Sequence, residues 1–326
     1  MRQAPALART VVALAVILIV ASKAEAGIKD GWWGSIDGYF AQPANLNLDA
    51  GVKFNANITD GGTVISVPYD HEYSTRLRGG WRDEASENNY SISWWAWDHG
   101  ASITDRTLVI PTLSDPFFGN TLSAKVVSEA ATKTRVIDLA MSRKITSTKK
   151  GSWFYAAGLR LASFRQDWNT DYSDIDPNTF TLFTEEKAQV GVFSSGAGIT
   201  AGLGSVYQWS KRWRTSLRAQ VAMLSGETDA EFIDKFIELD PNGGVNLLEA
   251  QLRRDGDKRV YQQLELEARV SYNVWKTLDI NLGYNFFQWN DAMEVAHFAD
   301  DVQSTPLFRR DNIAYQGATL GVTYWF

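Results

Sequence analysis

Residues 314–326 read AYQGATLGVTYWF, and this terminal stretch decides the fold. Ala318, Leu320, Val322, Tyr324 and Phe326 fall on one face, and Gly317, Thr319, Gly321, Thr323 and Trp325 on the other. That two-residue period belongs to a strand with one apolar side and a different inner side. A transmembrane β-barrel closes on its last strand, whose hydrocarbon-facing positions must be apolar. Tyr324 and Phe326 have the form of a terminal aromatic insertion signal, read by periplasmic chaperones and the barrel-assembly machinery.

The opposite end carries an export signal. Arg2 and Arg9 precede an apolar run from Val11 to Ala21, and Ala24, Glu25 and Ala26 supply a small-residue cleavage site before Gly27. Residues 1–26 therefore read as a Sec-type signal peptide, too short and wrongly flanked for a retained helix. Residues 27–326 form one barrel domain. Its loss of three basic residues and one acidic residue takes the formal charge from -6 to about -8. No later run approaches the roughly eighteen apolar residues of a spanning helix. Thirteen Trp, twelve Tyr, sixteen Phe and no Cys fit an exported chain without disulfide or thiolate chemistry. The acidic balance and lack of basic clusters exclude nucleic acid as a partner.

Candidate strands at 31–40, 69–81, 89–97, 132–146, 151–164, 190–207, 213–225, 260–272, 277–289 and 314–326 are joined by connections that alternate in length. Those after the odd-numbered strands run roughly 24 to 34 residues, whereas those after the even-numbered ones are short: RDEASENN at 82–89, TSTKK at 146–150, YQWSK at 207–211 and NVWKT at 273–277. Short periplasmic turns and long extracellular loops are the habit of outer-membrane barrels. The fold expected is all-β: a closed antiparallel transmembrane barrel of about ten strands. A further hairpin around Val52 to Ile65, turning at Asp60, Gly61 and Gly62, would project outward or raise the count to twelve. Aromatic residues collect at strand ends, with Trp32, Trp81, Tyr90, Trp153, Trp213, Tyr272 and Tyr324 at the periplasmic interface and Tyr39, Tyr73, Trp94 and Tyr284 at the outer one.

The segments IDLAMSR at 137–143, GLRL at 158–161, GAGIT at 196–200, LELEARVSY at 264–272 and LGYNFFQW at 282–289 resemble the Legionella-type major outer-membrane-protein-like family. The resemblance implies a pore-forming barrel in the outer membrane of a Gram-negative bacterium, in contact with outer-membrane lipid and lipopolysaccharide.

Strand parity turns Asp37, Glu72, Arg76, Arg78, Asp138, Arg160, Arg214, Arg218, Glu265, Glu267, Arg269 and Asp279 into the lumen. Buried charges need partners or water. A porin-like channel for small hydrophilic solutes or ions is therefore weighed against a non-conducting structural or surface-interaction barrel whose charges pair across the lumen. On the sixth strand Gly196, Gly198, Gly202 and Gly204 face inward, and their missing side chains either leave a water path or mark a sharply coiled strand. Residues 165–189 carry an acidic excess suited to an outer vestibule that favours cations or to a divalent-bridged surface. Residues 229–238 (DAEFIDKFIE) read as a short helix with Phe232 and Phe236 on one side. Such a helix would cover the mouth or form an interaction ridge.

No catalytic, metal or cofactor site is expected. His71, His99 and His297 could meet at the outer rim, but no serine or carboxylate pattern completes a triad. Asp300 and Asp301 beside His297 read as a solvated loop, and there is no H-E-x-x-H. Closure leaves no strand edge in need of a partner, so an oligomer is compatible with the sequence but not implied by it.

Overall fold

The computed structural model describes residues 31–44, 48–53, 63–83, 85–107, 109–111, 123–175, 182–239, 244–298 and 306–326. The signal peptide expected at residues 1–26, and Asp300 and Asp301, lie outside the described residues. Thirteen strands follow in chain order: β1 (Gly31–Ala44), β2 (Asp49–Lys53), β3 (Thr63–Ser66), β4 (Glu72–Asp83), β5 (Asn88–Asp105), β6 (Val109–Pro111), β7 (Lys125–Ser147), β8 (Gly151–Ile175), β9 (Leu182–Gln208), β10 (Trp213–Leu239), β11 (Val245–Trp275), β12 (Leu278–Phe298) and β13 (Pro306–Trp325). Ten of them close an antiparallel barrel in the order β1-β13-β12-β11-β10-β9-β8-β7-β5-β4, and β2, β3 and β6 form a separate small sheet. Among the described residues no helix is long and apolar enough to cross a membrane; the crossing is made by strands.

The terminal strand closes the ring. β13 pairs with β1 from Trp33↔Trp325 to Ala44↔Ala314, and the Phe326 amide donates to the Trp32 carbonyl. Beside it β1 pairs with β4 from Gly31↔Arg82 to Ala41↔Glu72. Every barrel edge is thereby paired, as hydrocarbon demands. Even-numbered residues of β13 such as Leu320 face outward, and odd-numbered ones such as Thr319 face the interior.

The strand count matches the rhythm of the connections, but the strands run much further than apolar-out alternation marks. β10 continues to Leu239 and β11 starts at Val245, where sequence reading placed loop and helix. The cause is an inversion of the two faces above the membrane. On β8, Leu159 and Leu161 are exposed to lipid while Arg160 is buried; further along the same strand Phe164, Trp168 and Tyr172 are buried, while Arg165 and Asp171 are exposed. Where lipid lies outside, the apolar face is outside; where water lies outside, the same strand buries its apolar face. The wall therefore stands well proud of the bilayer. Residues 229–238 belong to β10, with Phe232, Asp234 and Phe236 buried on the inner face, so the helix expected there does not exist.

The hairpin expected around Val52 to Ile65 adds nothing to the barrel. β2 pairs with β3 on one side and with β6 on the other. Leu48, Ala50, Ile65, Val67 and Val109 of this small sheet and its flanks pack on Val126, Trp168, Tyr172, Val190 and Phe232 of the inner wall. The Tyr172 hydroxyl donates to the Ala50 carbonyl at 2.6 Å, and Lys53 pairs with Asp105 at 2.7 Å. The sheet is an apolar lid seated in the outer mouth.

Candidate functional site: the barrel lumen

Beneath the lid lies a second apolar layer that includes Tyr39, Trp95, Trp97, Phe164, Tyr261, Phe287, Trp289 and Tyr315. Trp95 stacks on Phe287 with ring centroids 4.6 Å apart, and Trp97 stacks on Tyr315 at 4.2 Å. Tyr315 shares a 2.7 Å hydrogen bond with Thr134 across the lumen. Tyr39 corrects its sequence assignment. It is not part of an outer aromatic ring but a buried interior residue whose ring meets Trp95 and Phe287. Tyr73, Trp94 and Tyr284, which were grouped with it, are exposed on the outer wall.

The charged layer comes next, toward the short turns, and it is organised as two quartets. In one, Arg76 donates to Glu265 at 2.6 Å and to Asp138 at 3.3 Å, and Arg160 donates to Asp138 at 2.9 Å and Glu265 at 3.0 Å. In the other, Arg78 meets Asp37 at 2.5 Å and Glu267 at 3.4 Å, and Arg269 meets Asp37 at 3.2 Å and Glu267 at 2.8 Å. Four guanidiniums thus balance four carboxylates. Two planar forks facing two carboxylates on each side engage most of the guanidinium nitrogens, although Arg76 Nε and Arg269 Nε and Nη2 make no hydrogen bond. Ser93 adds a 2.9 Å bond to Asp138, and Gln263 accepts from Arg160. The arms cross the lumen: β4, which carries Arg76 and Arg78, lies four places from β11, which carries Glu265 and Glu267, in a ring of ten. The quartets are braces strung between distant walls.

Of the remaining charged positions, Arg214 pairs with Asp279 at 2.7 Å nearer the short turns, where its guanidinium lies over the Trp325 ring. Arg218 reaches Gln220 beside the braces. Glu72, at the outer end of β4, is half-buried and takes no part in either quartet.

The glycines of β9 provide no opening. An added Cβ on Gly196 would lie 3.1 Å from the Tyr261 ring, one on Gly202 would lie 2.8 Å from the Ala219 carbonyl, and Cβ atoms on Gly198 and Gly204 would run into the Met223 carbonyl and the Phe154 ring. Space left by absent side chains is filled by large inward rings and by the close approach of β10. At the level of the braces, Asp37, Arg76, Asp138, Arg160, Gln220 and Glu265 are each at most 4% exposed to water. A water-filled channel would leave such residues wet. Three layers in series, lid, aromatic layer and braces, occupy this lumen.

The three histidines do not form one site. His71 is exposed and stacks on Phe40 of the outer wall. His99 is not in an exit loop but in β5, buried inside against Trp97. His297 is likewise in a strand, β12, opposite Leu307. Sequence reading missed the aromatic layer and the lid. The one available signal for the layer was Trp94, Trp95 and Trp97 in a single strand, which puts tryptophan on both faces.

The outer wall completes the geometry. Exposed Trp153, Leu159, Leu161, Leu203, Leu217, Val221, Leu282 and Leu320 belong to a lipid-facing band. Near its short-turn edge Trp81 stacks on Tyr90, and Trp213 meets Tyr272 at a tilt.

No curated protein matches the chain. Solved structures with similar backbones include the outer membrane protease OmpT from Escherichia coli, with 11% identity over 94% of this chain and 100% of that one at a TM-score of 0.47. They also include the outer membrane protein OprG from Pseudomonas aeruginosa, with 14% identity over 92% and 98% at 0.32, and the toluene transporter TodX from Pseudomonas putida, with 8% identity over 92% and 90% at 0.30. At these scores the likenesses carry no conclusion about what the chain does. The family model of the Legionella pneumophila major outer membrane protein precursor matches residues 29–326. The chain belongs to the family of that major outer membrane protein, and its lipid-facing band is the surface by which it sits in the outer membrane.

Proposed function

We propose that this protein is a structural outer-membrane barrel that keeps its lumen shut and presents its tall outer wall to the cell's surroundings. The observation that carries the reading is the near-complete burial of the charged residues at brace level, together with the pairing of their charges across the lumen. Ten-strand barrels fall between those filled by side chains and those wide enough for an aqueous channel, and here the interior positions hold Arg, Trp, Tyr and Phe.

The porin-like reading comes second and keeps one supporting observation. Below the aromatic layer much of the inner wall is hydrophilic, with Ser35, Thr200, Gln220, Asn281, Asn285, Thr319 and Thr323 among the braces. Such a wall would wet readily if the braces opened. Reconstitution into liposomes separates the two. Liposomes carrying the folded barrel should swell in a pentose solution no faster than protein-free ones; swelling that increases with the amount of folded barrel would favour the pore.

A further inference from the structure

The outer wall of β7 and β8 changes character over two residues. Outward-facing Ile137 and Leu161 are directly paired and exposed. The next outward pair is Arg135 and Ser163, and the one after it is Lys133 and Arg165. Two cations directly opposite each other on an antiparallel pair repel. Neighbouring carboxylates resolve this clash only in part, at Arg165. Asp98 lies opposite Lys133 on β5 but pairs with Arg135 at 2.8 Å, and Asp167 pairs with Arg165 through its Nε at 2.9 Å. Among the described residues Lys133 has no carboxylate in salt-bridge range, and the Arg165 Nη1 is not used by Asp167.

The height of this pair on the wall identifies what would answer it. Arg143 is the outward residue at the other end of β7's apolar run, opposite Tyr155. Ten residues to Lys133, at ~3.3 Å each and a tilt of ~40°, cover about 25 Å, the height of a barrel's apolar band. Lys133 and Arg165 therefore stand at the outer hydrocarbon boundary, at headgroup depth. Exposed Leu161 and Ile137 lie below them, and exposed Phe193 of β9 lies directly beside Arg165.

We infer that Lys133 and Arg165 bind a phosphate group of a phosphorylated, multiply acylated lipid in the outer leaflet, whose acyl chains lie along Ile137, Leu161 and Phe193. The phosphate accepts from the Lys133 ammonium and the free guanidinium edge of Arg165, which turns a repulsive pair into a bridged one. Arg135, held by Asp98, adds positive potential below. The assignment stands whether or not the lumen conducts.

The test is native mass spectrometry of the detergent-purified full barrel, titrated with a diphosphorylated lipid A, with the same lipid after enzymatic dephosphorylation, and with inorganic phosphate alone. The wild-type barrel should retain the diphosphorylated lipid, whereas Lys133→Ala/Arg165→Ala should bind it at least about tenfold more weakly. Lys235→Ala, which removes an outward cation of β10 ion-paired with Glu249, should leave binding unchanged. Heat-modifiable electrophoretic mobility checks that each variant is folded, and Lys133→Gln/Arg165→Gln replaces the alanine pair should that pair fail to assemble. Undiminished binding by the double variant would overturn the assignment, as would equal retention of the dephosphorylated lipid. Binding of inorganic phosphate as tight as that of the lipid would reassign the site to a free anion and overturn the lipid.

Discussion

Glu265 is the residue on which the lumen's electrostatics turn. It accepts from Arg76 and Arg160, which come from two different walls, and it is fully buried. Breaking a buried pair by deleting one partner leaves an uncompensated charge and costs about 3–5 kcal/mol. Glu265→Ala should therefore unfold at markedly lower denaturant concentration, while Glu265→Ala combined with Arg76→Met should recover part of the loss; equal stability of the single variant and the wild type in reversible urea unfolding would deny the braces their role. Gly321 makes a complementary case. A Cβ there would overlap the Asp37 carboxylate and approach the Ile36 carbonyl at 2.9 Å, so Gly321→Ala should impair assembly as seen by heat-modifiable mobility, although alanine would suit an ordinary strand. Individual residues were unequally legible in the sequence. Arg76, Arg78, Arg160, Glu265 and Glu267 alternate with lipid-facing neighbours, so parity alone turns them inward. Tyr39 has the amphipathic chemistry of a membrane-interface residue and nothing local distinguishes a ring that packs inside from one that sits among headgroups; Trp95 and Phe287, which decide it, come from strands distant in sequence.

At the scale of single elements, the lid is the piece least tied to the barrel. β2, β3 and β6 share no ladder with a barrel strand, and they are held to the wall by apolar contacts, by Tyr172 and Lys53 and by the bridge of Val109 to Ser123, whose hydroxyl donates to the Ser173 carbonyl of β8. The hydrogen bond from Lys53, followed by that from Thr107, pulls the Asp105 carboxyl down to about 2. A folded-state value below the usual ~3.9 means that the clamp's contribution is complete above that value and is lost as pH falls toward about 2. Hydrogen exchange in residues 49–53 and 109–111, corrected for intrinsic rates, should thus be equally slow at pH 7 and pH 5; loss of protection already at pH 5 would show that another group holds the lid. Replacing residues 49–66 by a short Gly-Ser linker should leave a folded, less thermostable barrel that still fails to swell liposomes, because the aromatic layer and braces persist. A pore opened by that deletion would make the lid the sole seal. Elements explain the misread stretch at 229–238 as well. Phe232 and Phe236 are four residues apart, a spacing that shares a face in both a helix and a strand, and the pairing of β10 with β9 and β11 settles the choice.

For the whole molecule, the terminal strand and the alternation of long and short connections were enough to reach a closed ten-strand barrel, because hydrocarbon imposes apolar-out alternation on every crossing segment. Above the bilayer that rule reverses, and the upper thirds of β7 to β11 looked like loops for this reason. Whether the lumen is open was beyond the sequence: inward charges and glycines are equally compatible with a wet channel and with cross-lumen pairing, and only the three-dimensional arrangement brings Arg76 to Glu265 over 189 residues of chain. The absence of cysteine from the chain permits a direct test of closure. Thr200 lies on the inner face of β9 near the level of the braces, buried, and Thr200→Cys is close to isosteric; Ala85→Cys in the turn between β4 and β5, where the residue is exposed, serves as the accessible control. With barrels in sealed vesicles and a small charged, membrane-impermeant thiol reagent supplied from both sides, the closed-lumen account predicts rapid labelling of the Ala85→Cys protein and none of the Thr200→Cys protein until it is unfolded. Labelling of folded Thr200→Cys at a rate comparable to the control would contradict it.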